Sequence, residues 1–226
     1  MRILAADTAT EINTVAVCDD DEVLAETIVR CERAHTERLL ETVDWVLDQA
    51  SAKLGAMDAL AISVGPGSFT GLRVGVATWK GLAVGAKLPL VGVPTLDAMT
   101  RVAPFRDGCV CPLLDARMGE VFGALYCFEG GQRLKLRPDA VGRVETLLED
   151  LPGPVTFLGN GAALFRARIH AAVPEARFAP AWCALPRAAA VAAEARSMIE
   201  TGTPADAAQV IPVYLRPAQA EKMRKK

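Results

Sequence analysis

The strongest constraint on the fold of this chain is the stretch Ala59–Ala86, which reads ALAISVGPGSFTGLRVGVATWKGLAVGA. An apolar run at its start ends at a Gly-Pro-Gly turn, a pattern typical of a buried strand that stops abruptly. The segment after the turn is rich in small residues, and we interpret it as a helix with Ser68 or Thr70 as its N-cap. Backbone N–H groups and the helix dipole favour an anion at such a junction. The stretch therefore predicts a strand, a glycine turn and a helix with a candidate anion site between them.

The predicted helix carries two pairs of glycines with four-residue spacing, Gly71 with Gly75 and Gly81 with Gly85. Residues four apart lie on the same face of a helix, so each pair leaves a patch without side chains. Because glycine in a helix interior costs about 1 kcal/mol relative to alanine, we expect another backbone to approach these patches. The sequence leaves open whether that backbone belongs to the same chain or to a second protein.

Composition and charge restrict the class of protein. The 226 residues are 51% hydrophobic and 23% charged, which is typical of a globular chain long enough to bury a core. A formal net charge of −2 argues against a broad nucleic-acid surface, and we interpret the basic C-terminal residues as a solvated tail. No apolar run reaches the roughly 18–20 residues of a membrane span, and no signal peptide is visible. We expect a cytoplasmic protein that does not contact a membrane.

The cysteines and histidines do not have the spacing of a metal site. The six cysteines contain no CxxC pair, and the only histidines are His35 and His170. Reduced, mostly buried thiols are the expectation for a cytoplasmic chain.

Two parts of the chain share an order of elements. RILAADTATEINTVAV and VCPLLDARMGEVFGALY each contain an apolar strand, an aspartate, a short polar turn and a second apolar strand. This internal repeat predicts two similar halves that each start with an antiparallel meander. We assign residues 1–104 to the first half and 105–204 to a smaller, diverged second half. Residues 205–226 are predicted to be a tail that docks on the first half.

Four motifs carry a resemblance to a known family. DTAT (Asp7–Thr10), HTERLL (His35–Leu40), GPGSFTGLRVG (Gly65–Gly75) and PVYLR (Pro212–Arg216) resemble the TsaB (YeaZ) family. The match covers nearly the whole chain and is strongest in residues 1–100. It implies an α/β, two-lobed actin/hexokinase/Hsp70-like (ASKHA) fold in which each half is a mixed sheet with flanking helices.

The resemblance also implies a function and partners. Members of the family pair with the paralogue TsaD in the bacterial machinery that makes N6-threonylcarbamoyladenosine (t6A) at adenosine 37 of tRNAs. We therefore expect a non-catalytic scaffold subunit that forms a heterodimer with TsaD, is acted on by the ATPase TsaE, and forms a homodimer when alone. Contact with tRNA is expected to be indirect or minor. The interface is predicted on the two helices of the first half, at His35, Leu39, Val43, Leu47, Gly71, Arg73, Gly75, Thr78 and Leu82.

Catalytic and cofactor-binding features of the wider fold are weak in this sequence. The catalytic paralogue has a metal-binding histidine pair where this chain has Pro94–Thr100, which contains no histidine, so we expect no metal. The Asp7–Thr10 turn lacks the glycine that lets backbone approach a phosphate. We expect no tightly bound cofactor, with ATP or ADP at a shared interface left open. The residues of a degenerate nucleotide cleft would be Asp7, Thr8, Gly65, Gly67, Ser68, Gly159 and Gly161.

Alternatives remain for the cleft and for the function. Gly159-Asn160-Gly161 resembles an adenosine-binding turn but is equally typical of a helix entry that needs positive φ. A small-molecule kinase or ATPase of the same fold would bind magnesium and a nucleotide without a partner. A glycoprotease-like peptidase is disfavoured because the sequence shows no base beside Ser68.

Overall fold

The computed structural model describes residues 1–30, 37–103 and 108–216 of the chain. The chain forms two compact units. Unit 1 comprises Met1–Arg101 and Pro186–Val213, and unit 2 comprises Val102–Leu185 and Tyr214–Lys226.

Unit 1 is built on a mixed five-stranded sheet in the order β3-β2-β1-β4-β5. The first three strands form the predicted antiparallel meander, and β4 pairs in parallel with β1 and β5. Their bounds are Arg2–Asp7 for β1, Ile12–Asp19 for β2, Glu22–Arg30 for β3, Ala59–Gly65 for β4 and Leu90–Pro94 for β5.

Helices cover both faces of this sheet. One face carries Leu4 and Ala6 and packs against helices α1 (Glu37–Gln49) and α2 (Phe69–Ala86). The other face carries Ile3 and Ala5 and packs against α3 (Thr95–Thr100) and α7 (Ala188–Glu200). Because side chains alternate along a strand, each helix layer receives every second residue of β1. A short 3-10 helix, Leu54–Ala56, precedes β4.

The position of α7 corrects the predicted division of the chain. The sequence predicts that residues 105–204 form the second half, but Pro186–Val213 belongs to unit 1. The reason is the alanine-rich face of α7, whose Ala188, Ala192 and Ala195 are buried against β1 and β2. Chain order alone does not show which sheet such a face covers. After α7 the chain stays on unit 1, where the Val213 N–H donates to the Val64 carbonyl at 2.7 Å.

Unit 2 repeats the architecture of the unit 1 sheet in the order β10-β9-β6-β7-β8, with an antiparallel β6–β7–β8 meander and a parallel β6–β9 pair. This confirms the predicted internal repeat. Three helices and a 3-10 turn accompany the sheet. The strands of unit 2 are Gly108–Asp115 (β6), Glu120–Glu129 (β7), Gln132–Arg143 (β8), Val155–Leu158 (β9) and Arg177–Phe178 (β10). Its helices are Val144–Leu147 (α4), Asn160–Leu164 (α5) and Arg166–Ala172 (α6), and the 3-10 turn is Ala181–Cys183.

One pair of cysteines differs from the expectation of reduced thiols. Cys109 and Cys127 are direct register partners on β6 and β7 and are joined as a disulfide. Cys18, Cys111 and Cys183 are free and buried. Burial raises the pKa of the Cys18 and Cys111 thiols to about 12, so both stay protonated at neutral pH. Among the described residues, no helix has the length and apolar character needed to cross a membrane.

Candidate functional site

The junction between β4 and α2 is tied to the turn that follows β1. Ser68 is the N-cap of α2, as predicted, and its hydroxyl accepts the Gly71 N–H at 3.3 Å. The Ser68 N–H donates to the Ala9 carbonyl at 2.7 Å. The Thr8 hydroxyl donates to the Gly71 carbonyl at 2.9 Å. These bonds join the start of α2 to the Asp7–Thr10 turn.

Glycines make this close approach possible. A Cβ on Gly67 would lie 2.5 Å from the Ala9 carbonyl oxygen, and one on Gly71 would lie 2.1 Å from that of Thr8. A Cβ on Gly75 would lie 2.2 Å from the Thr8 Oγ1. The first glycine pair of α2 therefore accommodates a backbone of the same chain.

The second glycine pair has a different environment. Gly81 and Gly85 are exposed, and no heavy atom of the described structure lies within 4 Å of the place where a Cβ would stand on either residue. Ala77 is also exposed and lies four residues before Gly81, on the same face of α2. The strip of α2 formed by Ala77, Gly81 and Gly85 therefore presents little side-chain bulk.

A buried carboxyl lies at the end of β1. Asp7 is fully buried, and its Oδ1 accepts the Ala9 N–H at 2.9 Å. Its register partner on β2 is Thr14. The hydroxyl of Ser63 lies close enough to lower the pKa of Asp7, but burial dominates and raises that pKa to about 6. Asp7 Oδ2, Ser63 Oγ and Thr14 Oγ1 make no hydrogen bond of normal geometry within the described residues.

The Asp7–Thr10 turn and the start of α2 are the candidate site for a nucleotide phosphate. Such a group would need free backbone N–H donors near Asp7–Thr10 or at the start of α2. The Ala9 N–H is engaged by Asp7, the Ser68 N–H by Ala9, and the Gly71 N–H by Ser68. These three N–H groups are therefore not available to a phosphate. Among the described residues, no group of three or more His, Cys, Asp and Glu is placed to hold a metal ion.

The remaining candidate cleft residues lie in unit 2, at the start of α5. Gly159 has a φ of +98° and is the N-cap residue. A Cβ on Gly161 would lie 2.9 Å from the Leu113 carbonyl oxygen, and the Asn160 side chain accepts the Asp115 N–H at 3.0 Å. A helix entry that needs positive φ accounts for this sequence. Gly65, in unit 1, also has positive φ, at +120°, beside the Val213 carbonyl.

The predicted interface residues have mixed surroundings. Leu39, Val43 and Leu47 are buried in the core of unit 1, as are Gly71 and Gly75. Thr78 and Leu82 are partly buried, whereas Arg73 is exposed with its guanidinium 4.0 Å from the Phe69 ring centroid. His35 lies outside the described residues. Helical periodicity therefore identified the face that each helix turns toward its own sheet.

Residues on the outer faces of the same two helices were missed. Leu40 and Trp45 of α1 are 50% and 52% exposed, and Val84 of α2 is 72% exposed. The sequence contains a signal for Trp45, because this residue follows Asp44 and interrupts the polar face of an amphipathic helix. Large apolar side chains on a polar face mark a surface that a partner can cover.

Comparisons of the sequence give a consistent result. A protein-family model described as TsaD, tRNA N6-adenosine threonylcarbamoyltransferase, matches residues 24–223. The tRNA threonylcarbamoyladenosine biosynthesis protein TsaB of Bacillus subtilis is 31% identical over 75% of this chain and 76% of its own length. The protein of the same name from Escherichia coli is 47% identical, but the match spans only 56% of this chain and 55% of that protein.

Comparisons of the structure agree. YeaZ from Pseudomonas aeruginosa superposes with a TM-score of 0.79 at 29% identity, over 95% of this chain and 99% of that one. The ROK hexokinase from Thermus thermophilus has a TM-score of 0.52 at 12% identity over 88% of this chain and 100% of its own. EutJ, an ethanolamine utilization protein from Carboxydothermus hydrogenoformans, has a TM-score of 0.53 at 14% identity over 85% and 90% of the two chains. The last two likenesses concern the fold alone, which is actin-like in both lobes.

Proposed function

Because this chain belongs to the TsaB (YeaZ) family, we propose that it is a non-catalytic scaffold subunit in the biosynthesis of t6A at adenosine 37 of tRNAs. It pairs with TsaD, which carries the metal and transfers the threonylcarbamoyl group to N6 of adenosine. The ATPase TsaE acts on the assembled pair. This chain supplies a surface rather than a reacting group.

The observation that carries the proposal is the outer surface of α1 and α2. Both helices pack on the same face of the unit 1 sheet. Leu40 and Trp45 of α1 are exposed, and on α2 the exposed Val84 lies near Gly81 and Gly85, where a Cβ would meet open space. Exposed large apolar side chains mark a surface that a partner can cover, and a helix face with small residues lets a second helix pack closely, ridge into groove. Without TsaD, a second copy of the chain covers the same surface.

The hydrogen bonds within the Asp7–Thr10 turn and at the start of α2 support a role in which this chain performs no chemistry on a nucleotide. The N–H groups of Ala9, Ser68 and Gly71 already donate within the chain. We propose that this chain binds no nucleotide tightly by itself and that ATP or ADP, where the complex uses it, lies at a shared interface. A kinase or peptidase activity has no supporting geometry among the described residues.

An omission assay tests the proposal. TsaD, TsaE, the threonylcarbamoyl-adenylate synthase, ATP, threonine, bicarbonate and tRNA are incubated with and without this chain, and t6A is quantified by mass spectrometry. We expect product only when the chain is present, and none when TsaD is left out. Equal product with and without the chain would overturn the proposed function.

A further inference from the structure

Three buried polar side chains lie in a row across the end of the unit 1 sheet. Asp7 on β1 has Thr14 on β2 as its register partner. On the other side of β1, Ala6 pairs with Ile62 of β4, so Ser63 is the residue beside Asp7 along that parallel pair. Residues at the same register position point to the same face of a sheet, so the three side chains share one face. We call Asp7, Thr14 and Ser63 the polar row.

Each side chain of the polar row has an oxygen atom without a hydrogen bond of normal geometry. None of the three residues is exposed to solvent. Asp7 Oδ1 accepts the Ala9 N–H at 2.9 Å, but Asp7 Oδ2, Thr14 Oγ1 and Ser63 Oγ form no hydrogen bond within the described residues. The Ser63 hydroxyl lies near enough to lower the pKa of Asp7, so these two groups face the same space. Because buried polar atoms are nearly always bonded to protein or to ordered water, three neighbouring exceptions require an explanation.

The neighbouring side chains on this face of the sheet do not supply the missing partners. The preceding row consists of Ala5 with its register partners Ala16 and Ala61. Helix α7 packs on the same face through Ala188 and Ala192. An alanine side chain neither donates nor accepts a hydrogen bond. This environment favours a small polar partner that comes from outside the chain.

The number and type of the oxygen atoms distinguish a water molecule from a metal ion. A buried water makes about three hydrogen bonds, and the polar row offers three oxygens. Water can donate one proton to Asp7 Oδ2 and one to a hydroxyl, and it can accept from the second hydroxyl. A magnesium or calcium ion would take roughly six or more oxygen ligands, twice as many as the row supplies. The donor set therefore fits water.

We propose that the polar row binds one internal water molecule, held by Asp7 Oδ2, Ser63 Oγ and Thr14 Oγ1. This water links the ends of β2, β1 and β4 through side chains, in addition to the backbone hydrogen bonds between the strands. It also follows the charge of Asp7, because it donates to the ionised carboxylate and can turn to accept from the protonated one. The site lies within unit 1 and does not depend on a partner or on the proposed function.

Two measurements on the full chain test the site. In a high-resolution crystal structure of the wild type, we expect one density peak about 2.5–3.0 Å from each of the three oxygens. In solution, oxygen-17 magnetic relaxation dispersion counts the water molecules held inside the protein. Its amplitude should fall by that of one water in Ser63→Ala/Thr14→Val, which leaves Asp7 as the only polar partner. The matched control is Thr156→Val, which removes a buried hydroxyl from β9 of unit 2 and should leave the amplitude unchanged.

Three results would overturn the internal water. The first is a wild-type structure without density at the site, or with the three side chains bonded directly to one another. The second is a peak with five or more oxygen ligands at about 2.0–2.6 Å, which would be a metal ion. The third is an unchanged relaxation amplitude in a folded Ser63→Ala/Thr14→Val protein. If that variant does not fold, the wild-type crystal structure decides by itself.

Discussion

At the scale of single residues, Asp7 has the most unusual environment in the described structure. A carboxyl at the end of a central strand keeps one hydrogen bond, to the Ala9 N–H, and is otherwise removed from water. Burial disfavours the charged form and raises the pKa from 3.8 to about 6. The carboxyl therefore binds its proton more tightly in the folded chain than in the unfolded one.

This shift predicts a pH dependence with a definite sign. The folded pKa lies above the unfolded value, so the stabilisation from protonated Asp7 is complete below pH 3.8. It is lost as the pH rises through about 6. The loss amounts to about 3 kcal/mol by linkage. Asp7→Asn should remove this decline, because an amide keeps the acceptor for Ala9 and never ionises.

Urea unfolding between pH 4 and pH 7.5 measures the effect. A Trp182→Phe background leaves Trp45 and Trp79, both in unit 1, as the fluorescence reporters. Asp48→Asn, at an exposed site on α1, is the control and should keep the wild-type slope. If the unfolding free energy of Asp7→Asn fell with pH as that of wild type does, the decline would come from another titrating group.

At the scale of elements, α2 combines two glycine pairs with opposite roles. Alanine at Gly75 would place a Cβ 2.2 Å from the Thr8 side chain, in a buried contact next to Ile62. We expect Gly75→Ala to destabilise unit 1 by about 1–3 kcal/mol, as overpacking does. Gly81→Ala meets open space and should stabilise the helix by up to about 1 kcal/mol. Thermal unfolding of the two variants checks the difference in sign, and a loss of stability in both would contradict it.

Helix α7 depends on a carboxylate from another element. Glu26 of β3 accepts the Ala189 N–H at 3.1 Å in the first turn of α7 and forms an ion pair with Arg187. The Glu26 side chain is almost fully buried. We expect Glu26→Ala to destabilise unit 1 by about 2–4 kcal/mol, because it removes a buried carboxylate that accepts from a helix N–H and forms an ion pair with Arg187. Glu22→Ala, on the exposed end of the same strand, should change stability by less than about 0.5 kcal/mol. Equal losses in chemical denaturation would contradict this role for Glu26.

The elements also show where sequence reasoning succeeded. Turn chemistry and alternation are local properties, so the β1–β3 meander, the Ser68 cap and the internal repeat could be predicted. The environment of Gly75 could not, because the Thr8 contact joins residues far apart in the chain. Leu39 and Val43 show the same limit: an apolar stripe predicts burial but does not say whether the chain itself or a partner provides it.

At the scale of the whole molecule, the proposed pairing of α1 and α2 with TsaD can be tested by comparing two surface variants. Gly81→Leu adds a bulky side chain to an exposed surface and should leave the chain folded while it prevents co-elution with TsaD. Val23→Asp changes an exposed apolar residue of β3, away from both helices, and should co-elute as wild type does. Size-exclusion chromatography of the mixed proteins gives the result. Intact co-elution of Gly81→Leu with TsaD would contradict an interface at this face of α2.

The division of the chain has a consequence for its biosynthesis. Unit 1 consists of two separated segments, Met1–Arg101 and Pro186–Val213, and all five strands of the unit 2 sheet are encoded between them. A ribosome therefore finishes Val102–Leu185 before it delivers α7, and until then the face of the first sheet that carries Ile3 and Ala5 has only the short helix α3 against it. During translation the inserted lobe can complete its own sheet, while the lobe that starts first must wait for the last helix.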